Sequence, residues 1–120
     1  MWYDGAKDTN INPLLGMCIG FAETSFKNFK SENNIGNVGN DDSGNTVEFD
    51  TPLAGVAALY ATLNNQYLGE YQTLDQLSRY GNLDGYIYAS SPFNRQKNIM
   101  TCLSSIYDTY IPEDFAFRLE

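Results

Sequence analysis

The stretch that decides the fold is residues 12–26, NPLLGMCIGFAETSF. Asn12 followed by Pro13 is a typical helix start, because Asn caps free backbone N–H groups and proline suits the first helical position. Apolar residues then recur with helical spacing, at positions 11, 15, 18, 19, 22 and 26. The pattern predicts a helix that begins at Pro13, ends around residues 26–29 and buries one face.

Glu23 is the one acidic residue of this stretch. It lies four residues after Ile19 and three before Phe26, which places it in or beside the apolar stripe. Partial burial and the negative end of the helix dipole both favour a protonated carboxyl group there. A protonated carboxylic acid can donate a proton to a glycosidic oxygen. Glu23 is therefore our candidate general acid.

Composition excludes several classes of function. The chain has 120 residues, a net charge of −8 and no histidine, which argues against nucleic-acid binding and against sites that need His. Its length predicts a single domain, residues 1–120 with a core at about 12–110, and it could be cut from a longer protein. No apolar run is long enough to span a bilayer and no signal peptide opens the chain. No metal or cofactor is implied.

Further helix signals follow along the chain. Thr51-Pro52 and Ser91-Pro92 repeat the cap-and-proline start, for helices reaching about residues 67 and 110. A capping box at residues 73–76 predicts a short helix to about residue 79, with irregular chain from 80 to 89. Residues 31–45 are rich in Asn, Gly and Asp, and 47–49 favour a short strand. The prediction is a mainly α (α+β) domain with a small polar β-hairpin lobe.

The two cysteines, Cys18 and Cys102, fall on the first and last long helices. Two are too few for a disulfide scaffold or a zinc site. We favour two buried thiols, the alternative being a disulfide between the helices in an oxidising setting.

Two further groups of side chains are suited to sugar chemistry. Asn33 and Asn34 both donate and accept hydrogen bonds, as sugar hydroxyl and acetamido groups require. Glu48 and Asp50 would share one face of the predicted strand, where either supplies a second carboxylate. Tyr88 precedes a helix cap and is a third candidate.

The order of these motifs resembles the lysozyme-like superfamily. The segments are AETSF at 22–26, NNIGN at 33–37, EFDTPLAG at 48–55 and YASSP at 88–92. They look most like the glucosaminidase family of peptidoglycan hydrolases, with lytic transglycosylases a second relative. In the last motif the aspartate typical of the family is replaced by Ser91.

The resemblance implies a lysozyme-like fold that cleaves the glycan strands of peptidoglycan, as an endo-N-acetylglucosaminidase or muramidase. Glu23 would be the acid and Tyr88 the active-site tyrosine, with Glu48 or Asp50 as a second acidic group. The sugar-binding positions it implies are Ser25, Asn33, Asn34 and Asn37.

Two alternatives stay open from the sequence. One is a lytic transglycosylase, which needs only the single acid Glu23. The other is a non-catalytic structural or glycan-binding module of a virion or secretion assembly. Since an acidic chain is not attracted to an anionic wall, we expect a larger assembly or fusion to deliver it. A virion-associated or extracytoplasmic location follows from the resemblance.

Overall fold

Helices make up most of the described chain. A computed structural model describes residues 1–24, 32–36, 38, 46–66, 68–83 and 92–119. Within these residues the helices are α1 (Trp2–Ala6), α2 (Pro13–Thr24), α3 (Pro52–Leu63), α4 (Leu74–Leu83) and α5 (Pro92–Tyr107). This confirms the mainly helical class. The short α1 was not predicted.

Side-chain caps fix three of the helix starts as predicted. Asn12 Oδ1 accepts a hydrogen bond from the first turn of α2, at 3.0 Å. Thr51 Oγ1 accepts one from the Ala54 N–H at 3.1 Å. Thr73 and Gln76 form a reciprocal capping box, each side chain accepting from the other's backbone N–H. These bonds satisfy N–H groups that a helix leaves without internal partners.

The helix ends differ from the predictions. α4 continues to Leu83, past Gly81, because one glycine costs a helix only about 1 kcal/mol. α5 ends at Tyr107, where Asp108 takes a left-handed backbone angle (φ 54°) that stops the helix. α3 ends at Leu63 rather than residue 67.

The predicted β-hairpin is wrong for the part of the chain that is described. Residues 46–49 are irregular, and the described residues contain no sheet. The segment instead pairs with an earlier loop, since the Phe49 N–H donates to the Glu32 carbonyl at 3.1 Å. Residues 39–45 of the segment rich in Asn, Gly and Asp lie outside the described residues.

Tyr60 joins α3 to the start of α2. Its side chain is fully buried and its hydroxyl donates to the Pro13 carbonyl at 2.7 Å. Burial, and secondarily Tyr3, raise the pKa of Tyr60 well above its usual range. Gly16 permits this approach, because a Cβ at that position would overlap the tyrosine ring.

α2 occupies the middle of the packing. It contacts α1, α3 and α5, and α5 in turn contacts α4. The largest fully buried apolar side chains are Tyr60, Phe117, Ile11, Leu15, Ile19, Leu63, Leu74, Leu77, Ile99 and Leu103.

The C-terminal segment docks onto the helices. Phe117 is fully buried. Its carbonyl accepts from the Asn12 N–H at 2.8 Å, and its N–H donates to Gln72 at 3.0 Å. Arg118 holds the same segment in place by donating hydrogen bonds to the carbonyls of Tyr71 and Leu63, at 2.8 and 2.9 Å.

The cysteines are bonded to one another, so the prediction of two free thiols is wrong. Cys18 of α2 and Cys102 of α5 form a disulfide with a Cα–Cα distance of 5.6 Å. The apolar periodicity placed Cys18 on the buried face of α2 correctly, and for Cys102 it predicted only the helix on which the residue lies. It did not reveal that the two faces meet, which depends on how α2 packs against α5.

None of the described helices has the length and apolar content to cross a bilayer. The longest, α5, has 16 residues and a polar first half, whereas a span needs about 20 apolar residues.

Candidate functional site

Glu23 lies in the last turn of α2, beside the first turns of α5. Its carboxylate forms an ion pair with Arg95, through Oε1 and Nη2. The two side chains are 13% and 14% exposed, respectively. The predicted partial burial of Glu23 is therefore present, and Arg95 is a neighbour that the sequence argument missed.

This ion pair is costly for the fold to maintain. An acid at the C-terminal end of α2 and a base near the N-terminal end of α5 each oppose the local helix dipole. Withdrawing both charges from water adds a desolvation penalty. Burial also lowers the pKa of Arg95 to about 10, so the guanidinium remains charged at neutral pH. Pairing the two opposite charges offsets part of the cost of placing each of them in this partly buried position.

Arg95 changes the electrostatic argument for Glu23. Desolvation and the helix end favour the protonated carboxyl group, whereas an adjacent guanidinium favours the carboxylate. In the structure the guanidinium is in direct contact with Glu23. In this state Glu23 is a paired carboxylate, and proton donation requires that Arg95 move away or find another partner.

A groove of about 540 Å³ lies between α2 and α5, and neither Glu23 nor Arg95 lines it. Ala22, which precedes Glu23, lines it, as does Asn98, one turn beyond Arg95. Phe21 and Ile106 are its exposed apolar residues, at 47% and 41% exposure. The groove is large enough for a small organic ligand.

Asn34 holds the polar loop together. Its side chain is 1% exposed. The amide nitrogen donates to the carbonyls of Val38 and Val47, both at 2.9 Å, and the amide oxygen accepts from the Val38 N–H at 2.8 Å. Asn34 thus positions the backbone, rather than offering the exposed sugar contact that the resemblance implied.

Asn33 attaches the same loop to the segment before α3. Its side chain donates to the Phe49 carbonyl at 2.8 Å, and its backbone is left-handed, with φ 58°. Gly55 of α3 lies against the Asn33 carbonyl, where any Cβ would clash with that oxygen. Asn33 is half-buried, so its surface remains partly open to a ligand.

Glu48 and Asp50 are both exposed, on the irregular segment that these asparagines hold. Phe49 between them is half-buried, but no strand forms, so the predicted shared face of the two carboxylates stays a prediction. The structure therefore brings Asn33 and Asn34 together with the backbone around Glu48 and Asp50. Glu23, by contrast, forms its ion pair with Arg95.

Three of the candidate residues, Ser25, Asn37 and Tyr88, lie outside the described residues. Their proposed roles stay predictions. Among the described residues, no group of three or more His, Cys, Asp or Glu side chains is placed to hold a metal ion.

Comparison of the chain with protein-family models, with curated proteins and with solved structures finds no match. The site geometry and the motif order must therefore carry any assignment of function.

Proposed function

We propose that this domain cleaves the glycan strands of peptidoglycan, with Glu23 as the general acid. The observation that carries the proposal is a carboxylate at the C-terminal end of a helix, with a side chain only 13% exposed and paired with Arg95. Replacing a buried ion pair by apolar residues is often neutral or stabilising. Retaining it at an unfavourable helix end supports a functional role for the carboxylate.

Arg95 has a defined part in the proposed mechanism. In the free protein it holds the Glu23 carboxylate in one orientation. A sugar entering beside Glu23 excludes water and competes for the contact with Arg95, and both changes favour the protonated carboxyl group. Glu23 then donates its proton to the leaving glycosidic oxygen. Glu48, Asp50, Tyr88 or the substrate's own acetamido group would stabilise the sugar cation.

The experiment is digestion of purified peptidoglycan followed by mass spectrometry of the products. Wild type should release fragments, and Glu23→Gln should be slower by about 10²–10⁴-fold, since it keeps the shape and removes the proton. Glu32→Gln is the matched control, because Glu32 is exposed and should leave the rate unchanged. Reducing amino-sugar ends identify a hydrolase, and anhydro-sugar ends identify a transglycosylase. Unchanged turnover in Glu23→Gln would refute the assignment of the acid.

The pH profile tests the role of Arg95. Removing a positive neighbour makes a carboxyl group hold its proton to higher pH. Because a general acid must be protonated, Arg95→Met should move the alkaline limit of activity to higher pH. Arg95→Lys, which keeps the charge, should leave that limit closer to wild type. An identical limit in both variants would exclude this electrostatic role.

A non-catalytic glycan-binding or assembly module is the second candidate. The direct pairing of Glu23 with Arg95 favours it, because the carboxylate is already engaged. Binding to peptidoglycan without any released fragment from wild type would select this function.

A further inference from the structure

A second cavity borders α5 and is lined by Gln96, Lys97 and Met100 of that helix. It has a volume of about 460 Å³, is open to solvent, and lies between α4, α5 and the chain that follows α5. α5 turns about 100° per residue, so Gln96 faces α4 when Arg95 faces α2. The cavity and the groove between α2 and α5 share one lining residue, Thr101, whereas Asp75, Arg79 and Gln96 line the cavity and not the groove.

Gln96 is the feature of this cavity that needs an explanation. It lines the cavity, is 5% exposed, and its Oε1 accepts no hydrogen bond from the described residues. Its Nε2 makes only a long contact of 3.8 Å to the sulfur of Met100. A buried acceptor without a donor destabilises the fold. A bound group with an O–H or N–H would supply the donor.

Two acidic and two basic side chains line the cavity. Asp75 and Glu113 lie on adjoining backbones, since the Asp75 N–H donates to the Glu113 carbonyl at 3.0 Å. Arg79 and Lys97 supply two positive charges, and Arg79 already pairs with Asp75 at 3.2 Å. Donors and acceptors thus surround the cavity without an excess of either charge. This favours an uncharged ligand that both donates and accepts hydrogen bonds.

Tyr110 gives the cavity an aromatic surface. It is 77% exposed and lines the cavity, while Ile111 beside it is 5% exposed and forms part of the apolar lining. An exposed tyrosine offers a broad rigid face at little entropic cost. A pyranose ring has one apolar face to lie on such a ring and hydroxyl groups at its edge.

We propose that this cavity is a saccharide-binding site, with Tyr110 under the apolar face of a sugar ring and Gln96 Oε1 accepting from a hydroxyl group. The site anchors a glycan at a distance from Glu23. It does not require that Glu23 be catalytic, although the choice of an amino sugar as the probe rests on the proposed function.

The test is an NMR titration of the Glu23→Gln protein with a trimer of N-acetylglucosamine, which this variant should not cleave. We expect saturable shifts of the Gln96 side-chain amide and of the backbone at residues 110–113. Gln96→Leu should weaken binding at this cavity about tenfold, and Tyr110→Ala about fivefold. Tyr3→Ala is the matched control, because Tyr3 is 69% exposed on α1 and should leave the affinity unchanged.

Thermal unfolding separates a binding role of Gln96 from a structural one. Since Gln96→Leu removes a buried acceptor without a partner, its Tm should rise while its affinity falls. A lower Tm in Gln96→Leu, no shifts at the cavity, or binding there that survives both substitutions would each overturn the proposal. Shifts with a zwitterionic dipeptide but not with the sugar would overturn it as well. Because fragment release is measured separately on wild type, failure here is distinguishable from failure of the proposed function.

Discussion

Breaking the disulfide between Cys18 and Cys102 should remove a large part of the stability of this domain. The bond joins residues separated by 84 positions. In the chain-entropy description, closing a loop of that length stabilises the folded state by about 4.5 kcal/mol at 25 °C, because the unfolded chain loses freedom. A 120-residue domain has a total stability of about 6–18 kcal/mol. The reduced protein should therefore remain folded at 25 °C with a much smaller margin.

The assay is urea unfolding of protein purified without reductant, with and without added dithiothreitol. We expect the free energy of unfolding to fall by about 4.5 kcal/mol on reduction, and the Tm to fall by about 15–20 °C. Cys18→Ala/Cys102→Ala should match the reduced protein within about 1.5 kcal/mol, the difference reflecting lost packing of two small side chains. Adding dithiothreitol to this variant should change nothing.

Two outcomes would refute the reasoning. One is a fall in the free energy of unfolding of less than about 1 kcal/mol on reduction. Such a result would mean that closing the loop hardly lowers the entropy of the unfolded chain. The other is alkylation of two thiols in the folded, non-reduced protein, which would mean that the bond is absent.

Two further predictions concern side chains that tie the chain together. Asn34→Leu should destabilise the domain by about 3 kcal/mol, since it leaves the Val38 N–H and two carbonyls without partners. Hydrogen exchange at the Val38 amide should accelerate in Asn34→Leu but stay slow in Asn34→Asp, which keeps the acceptor oxygen. Equal exchange rates in the two variants would contradict the hydrogen bond from the Val38 N–H to Asn34. Arg118→Met should cost about 2–3 kcal/mol in urea unfolding, because its bonds to the carbonyls of Tyr71 and Leu63 are charge-assisted. Arg118→Lys should recover part of the lost free energy of unfolding. Full stability of Arg118→Met would show that these hydrogen bonds do not stabilise the fold.

The helix starts could be predicted because their causes are local. Asn12, Thr51 and the pair of Thr73 and Gln76 each cap a helix within four residues along the chain. Such bonds depend on residue type and spacing, both of which a sequence shows directly. The helix ends were predicted less well, since one glycine or one left-handed residue decides them through small energies.

The candidate site residues show the same contrast between local patterns, which the sequence reveals, and contacts between distant residues, which it does not. Partial burial of Glu23 followed from helical periodicity, but its partner lies 72 positions away (95 − 23) in the polar stretch FNRQKN. Nothing in that stretch indicates which helix Arg95 faces. Asn34 was predicted to bind a sugar, whereas it holds the backbone of its own loop. The available signal was Ile35 beside it, an apolar residue that carries the loop into the core.

The Glu23–Arg95 contact relates the two candidate functions to each other. A module that only needed a stable α2–α5 interface would be served as well by apolar side chains, which avoid both the desolvation of two charges and their opposition to the helix dipoles. The disulfide already joins these helices, so the ion pair is not required to hold them together. Under the proposed function, Arg95 orients a buried Glu23 carboxylate, and Glu23 donates a proton once a bound sugar has displaced that contact. The cost of the pair is thus more readily explained by chemistry than by architecture.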